Sequence, residues 1–337
     1  MPVTTMIKMK QGKKRISFSQ NRELVLLIIL IAFSIIVQVR NTQYLSLLNI
    51  SDMLVDTAVL IIISCGMLMV MLTGGIDLSV ASIMAVSGMS TAMIMSSNPG
   101  IPPVIIILLG VMIGTALGLL NGLIIGKGKV IPIIATMGTM NVYRGITYLV
   151  ANGEQITASE MTEGFKKIAT GKLLGINTLI FITIVVAIII YFFLSRYRLG
   201  RRIYAVGSNS ESAKISGTNI SNVLVFVYMV MGLLCGLCGV LYVSRYSVAQ
   251  ADMASGTEMY AIAACVLGGV NISGGSGKLQ GVLLGAILIG FINNALPMLL
   301  ISSFWKQAIQ GVIILAAILI NVIILRRSDR MLKKGRI

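Results

Sequence analysis

The chain carries no histidine, and its four cysteines, Cys65, Cys235, Cys238 and Cys265, all lie inside apolar runs. Without histidine there is no His-ligated metal, no Ser-His-Asp triad and no Cys-His nucleophile. Cys235 and Cys238 form a C-x-x-C. Within Met-Gly-Leu-Leu-Cys-Gly-Leu-Cys-Gly, residues 231–239, they read as small packing residues rather than a redox pair, because buried cysteine behaves as a small hydrophobe. The run Ser273-Gly-Gly-Ser-Gly-Lys278 looks like a phosphate loop. The pattern G-x-x-x-x-G-K-[ST] would need Gly at 272 and Ser or Thr at 279, where the chain has Ile272 and Leu279. Ionisable groups inside apolar segments are few, Asp56 and Arg144 among them, and they do not make the buried acid chain of a proton-coupled carrier.

A repeat is the strongest internal signal. Thr73-Gly-Gly-Ile-Asp-Leu-Ser-Val-Ala-Ser82 recurs as Leu267-Gly-Gly-Val-Asn-Ile-Ser-Gly-Gly-Ser276. Paired helix interruptions at corresponding places point to a translocation path, because unwound backbone is tolerated at membrane depth only when buried in protein or facing a water-filled cavity. Gly74, Gly75, Asp77, Gly268, Gly269 and Asn271 are its candidate residues. Asp77 in one copy is Asn271 in the other, so the polar oxygen matters more than the charge. A plainer reading makes the glycine pairs helix-ending turns, with Asp77 and Ser79 capping the helix that follows. The two readings are compatible.

The elements that must position these residues are membrane helices. Of 337 residues, 56% are hydrophobic and 11% charged, and mean hydropathy is +0.95. A soluble domain would be about a quarter charged. Stretches long enough to cross a bilayer fall at 24–39, 55–72, 78–95, 104–125, 130–150, 174–194, 223–243, 258–272, 279–297 and 305–325, which predicts an all-α polytopic bundle of about ten spans with interrupted helices. The fifth is broken by Pro132, Gly138 and Arg144, and the eighth is short. Gly110, Gly114, Gly118 and Gly122 recur every fourth residue, with shorter stripes at Gly232, Gly236 and Gly239 and at Gly281 and Gly285. Such spacing lets backbones approach in lipid, within a bundle or at a dimer face.

Threading ten spans leaves 20 of the 27 Lys and Arg and four of the 11 acidic residues on the side that carries both termini, and seven of each on the other. The net charge of +16 therefore sits on one face. By the positive-inside rule that face is cytoplasmic, with a basic tail at 1–23, a permease domain at 24–325 and a second tail at 326–337. The basic residues are topology determinants that also favour anionic lipid, not a nucleic-acid site. Gln38-Val-Arg-Asn-Thr-Gln offers no small-residue cleavage site, so the first span reads as an uncleaved helix. Loops are short. Neither 151–173 outside nor 195–222 inside can hold an ATPase domain, and any energy source must be another chain or an ion gradient. The inner loop contains a short helix-capable piece at 210–216, bounded by Gly207 and Gly217 and suited to a groove in a partner.

Four ordered motifs carry a resemblance: Leu72-Thr-Gly-Gly-Ile-Asp-Leu-Ser-Val80, the run from Ile134 to Gly145, the stretch from Gly200 through Gly217, and Ala261-Ile-Ala-Ala-Cys-Val-Leu-Gly-Gly269. From about residue 45 to 325 the chain resembles the membrane subunits of bacterial ABC importers for ribose, rhamnose, galactose and autoinducer-2. The runs 241–252, 294–297 and 303–305 look most like rhamnose-type members. The resemblance implies an inner-membrane permease that is not itself an enzyme, paired with a second permease copy or paralogue, two cytoplasmic ATP-binding subunits and an extracytoplasmic sugar-binding protein. It binds no cofactor directly, and ATP sits on the partner. Carried over by motif, Gly207, Asn209, Glu211, Ala213, Lys214 and Gly217 couple to the ATPase, and Asp77, Asn271 and Thr136 line or gate the path. Where family members often carry Ala-Ala, this chain has Ser212-Ala213. With selectivity left to the receptor, the path is expected to be lined by small, weakly polar side chains. Three other readings make distinct expectations: a secondary carrier would not need the inner loop, an enzyme acting on lipid-linked sugars would need interfacial acids or a metal cluster, and a purely structural subunit would tolerate changes at Glu211 and Gly217.

Overall fold

A computed structural model describes residues 22–302 and, beyond them, 305, 308, 311, 312 and 315. The basic tails and most of the expected tenth span lie outside the described residues. Among the residues 22–302, twelve α-helices follow in order: α1 (Arg22–Arg40), α2 (Leu47–Leu72), α3 (Val80–Ser97), α4 (Pro103–Gly126), α5 (Pro132–Ala151), α6 (Glu163–Thr170), α7 (Thr178–Arg196), α8 (Arg198–Ser208), α9 (Ser210–Ile215), α10 (Ile220–Tyr246), α11 (Thr257–Leu267) and α12 (Leu279–Met298). Between α6 and α7, a two-stranded antiparallel ribbon pairs β1 (Lys172–Leu173) with β2 (Ile176–Asn177). The all-α expectation holds.

The described residues do not by themselves confirm ten spans. Among the described residues, α1, α2, α3, α4, α7, α10 and α12 are long and apolar enough to cross a membrane, which makes seven. Two expected spans fall short for different reasons. α5 has 20 residues but carries Thr136, Tyr143, Arg144 and Thr147, and α11 stops at Leu267 after 11 residues.

α2 is the hub, with every residue from Thr57 to Leu72 buried, as a helix that is apolar all round must be. α10 crosses it and packs most extensively on α4 and α3. The glycine stripes explain that contact. A Cβ on Gly114 would meet the backbone of Gly232 and Gly236, and one on Gly232 would meet the backbone of Gly114 and Gly118. The stripes of α4 and α10 therefore face one another inside one chain. Gly281 and Gly285 do the same for α12 against Gly268, just past α11, and Ala264 of α11. The four cysteines are free and buried, packing residues in the core. The outer helices present large apolar side chains such as Ile36, Val104 and Ile189 to the surroundings, the face a bilayer requires.

Candidate translocation and coupling site

Both copies of the repeat end a helix in the same way. At the end of α2, Gly74 takes φ +82° and donates to the Met71 carbonyl (2.9 Å), while Gly75 reaches back to the Val70 carbonyl (3.3 Å). At the end of α11, Gly269 takes φ +84° and donates to Val266 (3.0 Å), and Val270 donates to Cys265 (2.9 Å). This double return is the Schellman ending, which needs a residue free to adopt the left-handed conformation. The first glycine of the pair fills that place in one copy and the second in the other, because α11 runs one residue further into the motif.

The Asp and Asn then make equivalent turns. Asp77 Oδ1 accepts from the Ser79 amide (2.9 Å), and Asn271 Oδ1 accepts from the Ser273 amide (3.1 Å). Their surroundings differ. Asn271 is half-buried, whereas Asp77 is fully buried and heads a hydrogen-bonded line through the bundle. The Ser79 hydroxyl donates to Asp77 Oδ1 (2.6 Å), Asn121 Nδ2 of α4 donates to the Ser79 hydroxyl (2.8 Å), and the Tyr143 hydroxyl of α5 donates to Asn121 Oδ1 (3.0 Å). Ser79 stands at the start of α3 but its side chain makes no cap there, so the capping expectation is corrected: the hydroxyl is already engaged by Asp77. Thr136 ties α5 to the same break, its hydroxyl bonded to the Pro132 carbonyl (2.9 Å) and 3.3 Å from the Ile76 carbonyl. Asp77 Oδ2 and the buried Tyr228 hydroxyl have no hydrogen-bond partner among the described residues.

Three backbone segments meet below this line. Gly207 of α8 lies so close to the Leu72 carbonyl and the Gly275 amide that a Cβ there has no room, and the Gly275 amide donates to the Leu72 carbonyl (2.9 Å). A Cβ on Gly274 would come within 2.7 Å of the Gly74 nitrogen and 3.1 Å of the Gly207 Cα. The end of α2, the loop after α11 and the end of α8 therefore touch with no side chain between them. The Tyr204 hydroxyl adds a bond to the Gly277 carbonyl (2.9 Å). Burial pushes that hydroxyl above its ordinary pKa, so it stays a donor.

α9 hangs from this junction. Asn209 caps it through a bond from the Ser212 amide to Oδ1 (2.8 Å), Ala213 is buried beneath it, and Gly217 at φ +77° ends it, with Gly217 donating to Lys214 and Thr218 to Ala213 (both 3.0 Å). Glu211, Lys214 and Ile215 point outward, Ile215 being 88% exposed. A cavity of about 1180 Å³ opens beside the junction and is lined by Gly74, Gly75, Gly207, Asn209, Glu211 and Lys214 among others. The inner-loop and first-repeat candidates thus come together, with Thr136 behind them, while Gly268 packs away on Gly281. Sequence reasoning missed Asn121, Tyr143, Tyr204 and Gly274-Gly275. The glycine run is visible in the sequence, but as a failed phosphate loop it carries no local mark of a backbone contact.

The amino-acid sequence that builds this junction is similar to those of known transport proteins. Residues 49–318 match the family described as a branched-chain amino acid transport system / permease component. The chain belongs to that family. It is 41% identical over 302 residues to the ribose import permease protein RbsC of Haemophilus influenzae, covering 89% of this chain and 92% of that one. It is 40% identical over 287 residues to RbsC of Bacillus subtilis, covering 85% and 88%, and 34% identical over 282 residues to the D-allose transport system permease protein AlsC of Escherichia coli, covering 83% and 85%. None of these three is a rhamnose permease. No solved structure matches. As a permease component, the chain is a multi-pass membrane subunit and not an enzyme, and it works with the other subunits of its transport system.

Proposed function

We propose that this permease carries a monosaccharide inward across the bacterial plasma membrane, driven by ATP hydrolysed on cytoplasmic subunits that dock on α9. Its relatives are permeases named for ribose, allose and arabinose import or transport. The observation that carries the coupling is the three-way contact of Gly207, Leu72 and Gly274-Gly275. A push on α9 reaches the ends of α2 and α11 directly, because close-packed backbone cannot absorb displacement as a flexible side chain would. Closure of the ATP-binding subunits then tilts α8 and α9, the two breaks move together, and the bundle alternates its opening. Glu211, Lys214 and Ile215 are the contacts offered to the partner; Asp77, Asn121, Tyr143 and Thr136 hold the first break in shape. The reading includes a second copy or paralogue of the permease, an extracytoplasmic sugar-binding protein, ten crossings and both termini in the cytoplasm.

The test is a pull-down of the tagged chain from gently solubilised membranes, with the native loop and with 207–217 scrambled, followed by assay of ATP hydrolysis. An ATPase recovered with the native loop and lost with the scramble supports the reading. Recovery from neither, with the chain folded, overturns it and leaves an ion-gradient carrier.

A further inference from the structure

The far end of the bundle from α9 holds a second cavity, of about 950 Å³, between the start of α2, the end of α10, the segment leading into α11, and the end of α12. To small and weakly polar residues such as Thr57, Ser255 and Gly290 its walls add aromatic and charged side chains. Tyr242 and Tyr246, one turn apart on α10, set their rings 4.6 Å apart at 52°, and Tyr246 is 48% exposed. Beside them Arg245 donates through Nε (3.2 Å) and Nη2 (2.9 Å) to Asp56 Oδ1. Both bonds fall on one oxygen, so Asp56 Oδ2 and Arg245 Nη1 take no hydrogen bond among the described residues. Gln250 and Asp252 are exposed on the same wall, and their side chains make no hydrogen bond among the described residues either.

We propose that this cavity is a low-affinity monosaccharide site belonging to the permease itself, with the Tyr242–Tyr246 pair as its platform and Asp56, Arg245, Gln250 and Asp252 as partners for the sugar hydroxyls. The proposal rests on the import reading above and deepens it. A neutral sugar has hydroxyls that both donate and accept around its rim and C–H faces that pack on aromatic rings, so its site needs donors, acceptors and an amphipathic wall together. All three are here. A branched-chain amino acid would instead need an uncommitted cation for its carboxylate, and the Arg245 charge already faces Asp56. Two carboxylates against one guanidinium also make the wall hostile to anions. The volume exceeds a single sugar several-fold and the cavity is open, which suits a site that must release what it takes up.

The experiment is saturation-transfer NMR on the full chain in nanodiscs without partner subunits, using D-ribose, D-allose and L-leucine as probes. Transfer to at least one sugar is expected, falling at least fivefold in Tyr246→Ala and in the Gln250→Ala/Asp252→Ala double variant, and unchanged in Tyr148→Ala, an exposed tyrosine on α5. Size-exclusion chromatography reports folding of each variant, and the double variant, at two exposed positions, stands if Tyr246→Ala fails to fold. Equal transfer in the cavity variants, no transfer to either sugar from a monodisperse chain, or transfer to L-leucine alone overturns the proposal. ATPase capture through α9 with no sugar at this cavity overturns this inference only; loss of capture overturns the reading beneath it.

Discussion

At the scale of single residues, Asp77 and Asn271 show what the repeat preserves. Each oxygen accepts from the amide two residues on, and an Asn can do this as well as an Asp. The same Asp77 oxygen also accepts from the Ser79 hydroxyl, and through it is linked to Asn121. Asp77→Asn is therefore expected to keep the turn and leave sugar uptake within about twofold. Asp77→Ala leaves the Ser79 amide and hydroxyl buried with no acceptor, a loss of roughly 1–3 kcal/mol. It should lower the melting temperature of the purified chain and its uptake together. Equal effects of the two substitutions would mean that the charge, and not the turn, is what this position supplies. Gly207 makes a sharper case. A methyl group there collides with the Leu72 carbonyl, which belongs to backbone and cannot swing aside. Gly207→Ala should reduce uptake of labelled sugar at least tenfold while the ATPase is still captured, because the docking face of α9 is untouched. Uptake near the native level would dismiss the junction as the coupling route.

At the scale of elements, α4 and α10 are held by backbone contact along a glycine stripe. Gly114→Leu or Gly232→Leu must separate the two helices and is expected to cost about 3 kcal/mol or more, read as loss of monodisperse protein after detergent extraction. Gly138→Leu on α5 has open space around it and should extract like the native chain. This difference was not legible in the sequence, since both glycines sit in apolar segments with small neighbours. The fourfold spacing at 110, 114, 118 and 122 did announce a contact, but its partner could only be found once α10 was seen against it. Helix positions were legible because apolar runs of bilayer length have few other fates. The repeat was legible as a pair of breaks, though its offset by one residue was not, because the sequence aligns both glycine pairs while α11 winds one residue further. The hydrogen-bonded line from Asp77 to Tyr143 was hidden for a different reason. Its two links between helices span 42 and 22 residues, and no local pattern marks an Asn or Tyr inside an apolar helix as belonging to a distant Ser.

At the scale of the whole molecule, the question is whether α5 and α11 cross, since seven helices satisfy length and apolarity alone. Counting only those seven would reverse the chain after α4. That would put Arg196, Arg198, Arg201, Arg202 and Lys214 on the side opposite Lys127 and Lys129, against the positive-inside rule. The contacts of α5 argue the same way. Near its start, Thr136 sits at the α2 break; further on, Arg144 donates to the carbonyls of Ala251 and Met253 beside the opposite cavity; just past its end, Ile156 pairs with Ala249. Its 20 residues span about 30 Å, the thickness of a bilayer core, and its polar side chains are committed to protein partners. For that reason they lower its apolarity without barring it from the membrane. α11 covers about half that distance, so a crossing here needs the loop after it, which touches the ends of α2 and α8. The four native cysteines are buried, so a membrane-impermeant maleimide will read single cysteines introduced at exposed serines. With the permease expressed alone in intact cells, Ser97→Cys, Ser159→Cys and Ser255→Cys should label from outside, and Ser216→Cys and Ser276→Cys only after lysis. Ser159 and Ser97 on opposite sides would remove α5 as a crossing, and Ser276 labelled from outside would remove α11. Either result would put the ends of α2, α8 and α11 on different sides of the membrane, against their contact at Gly207.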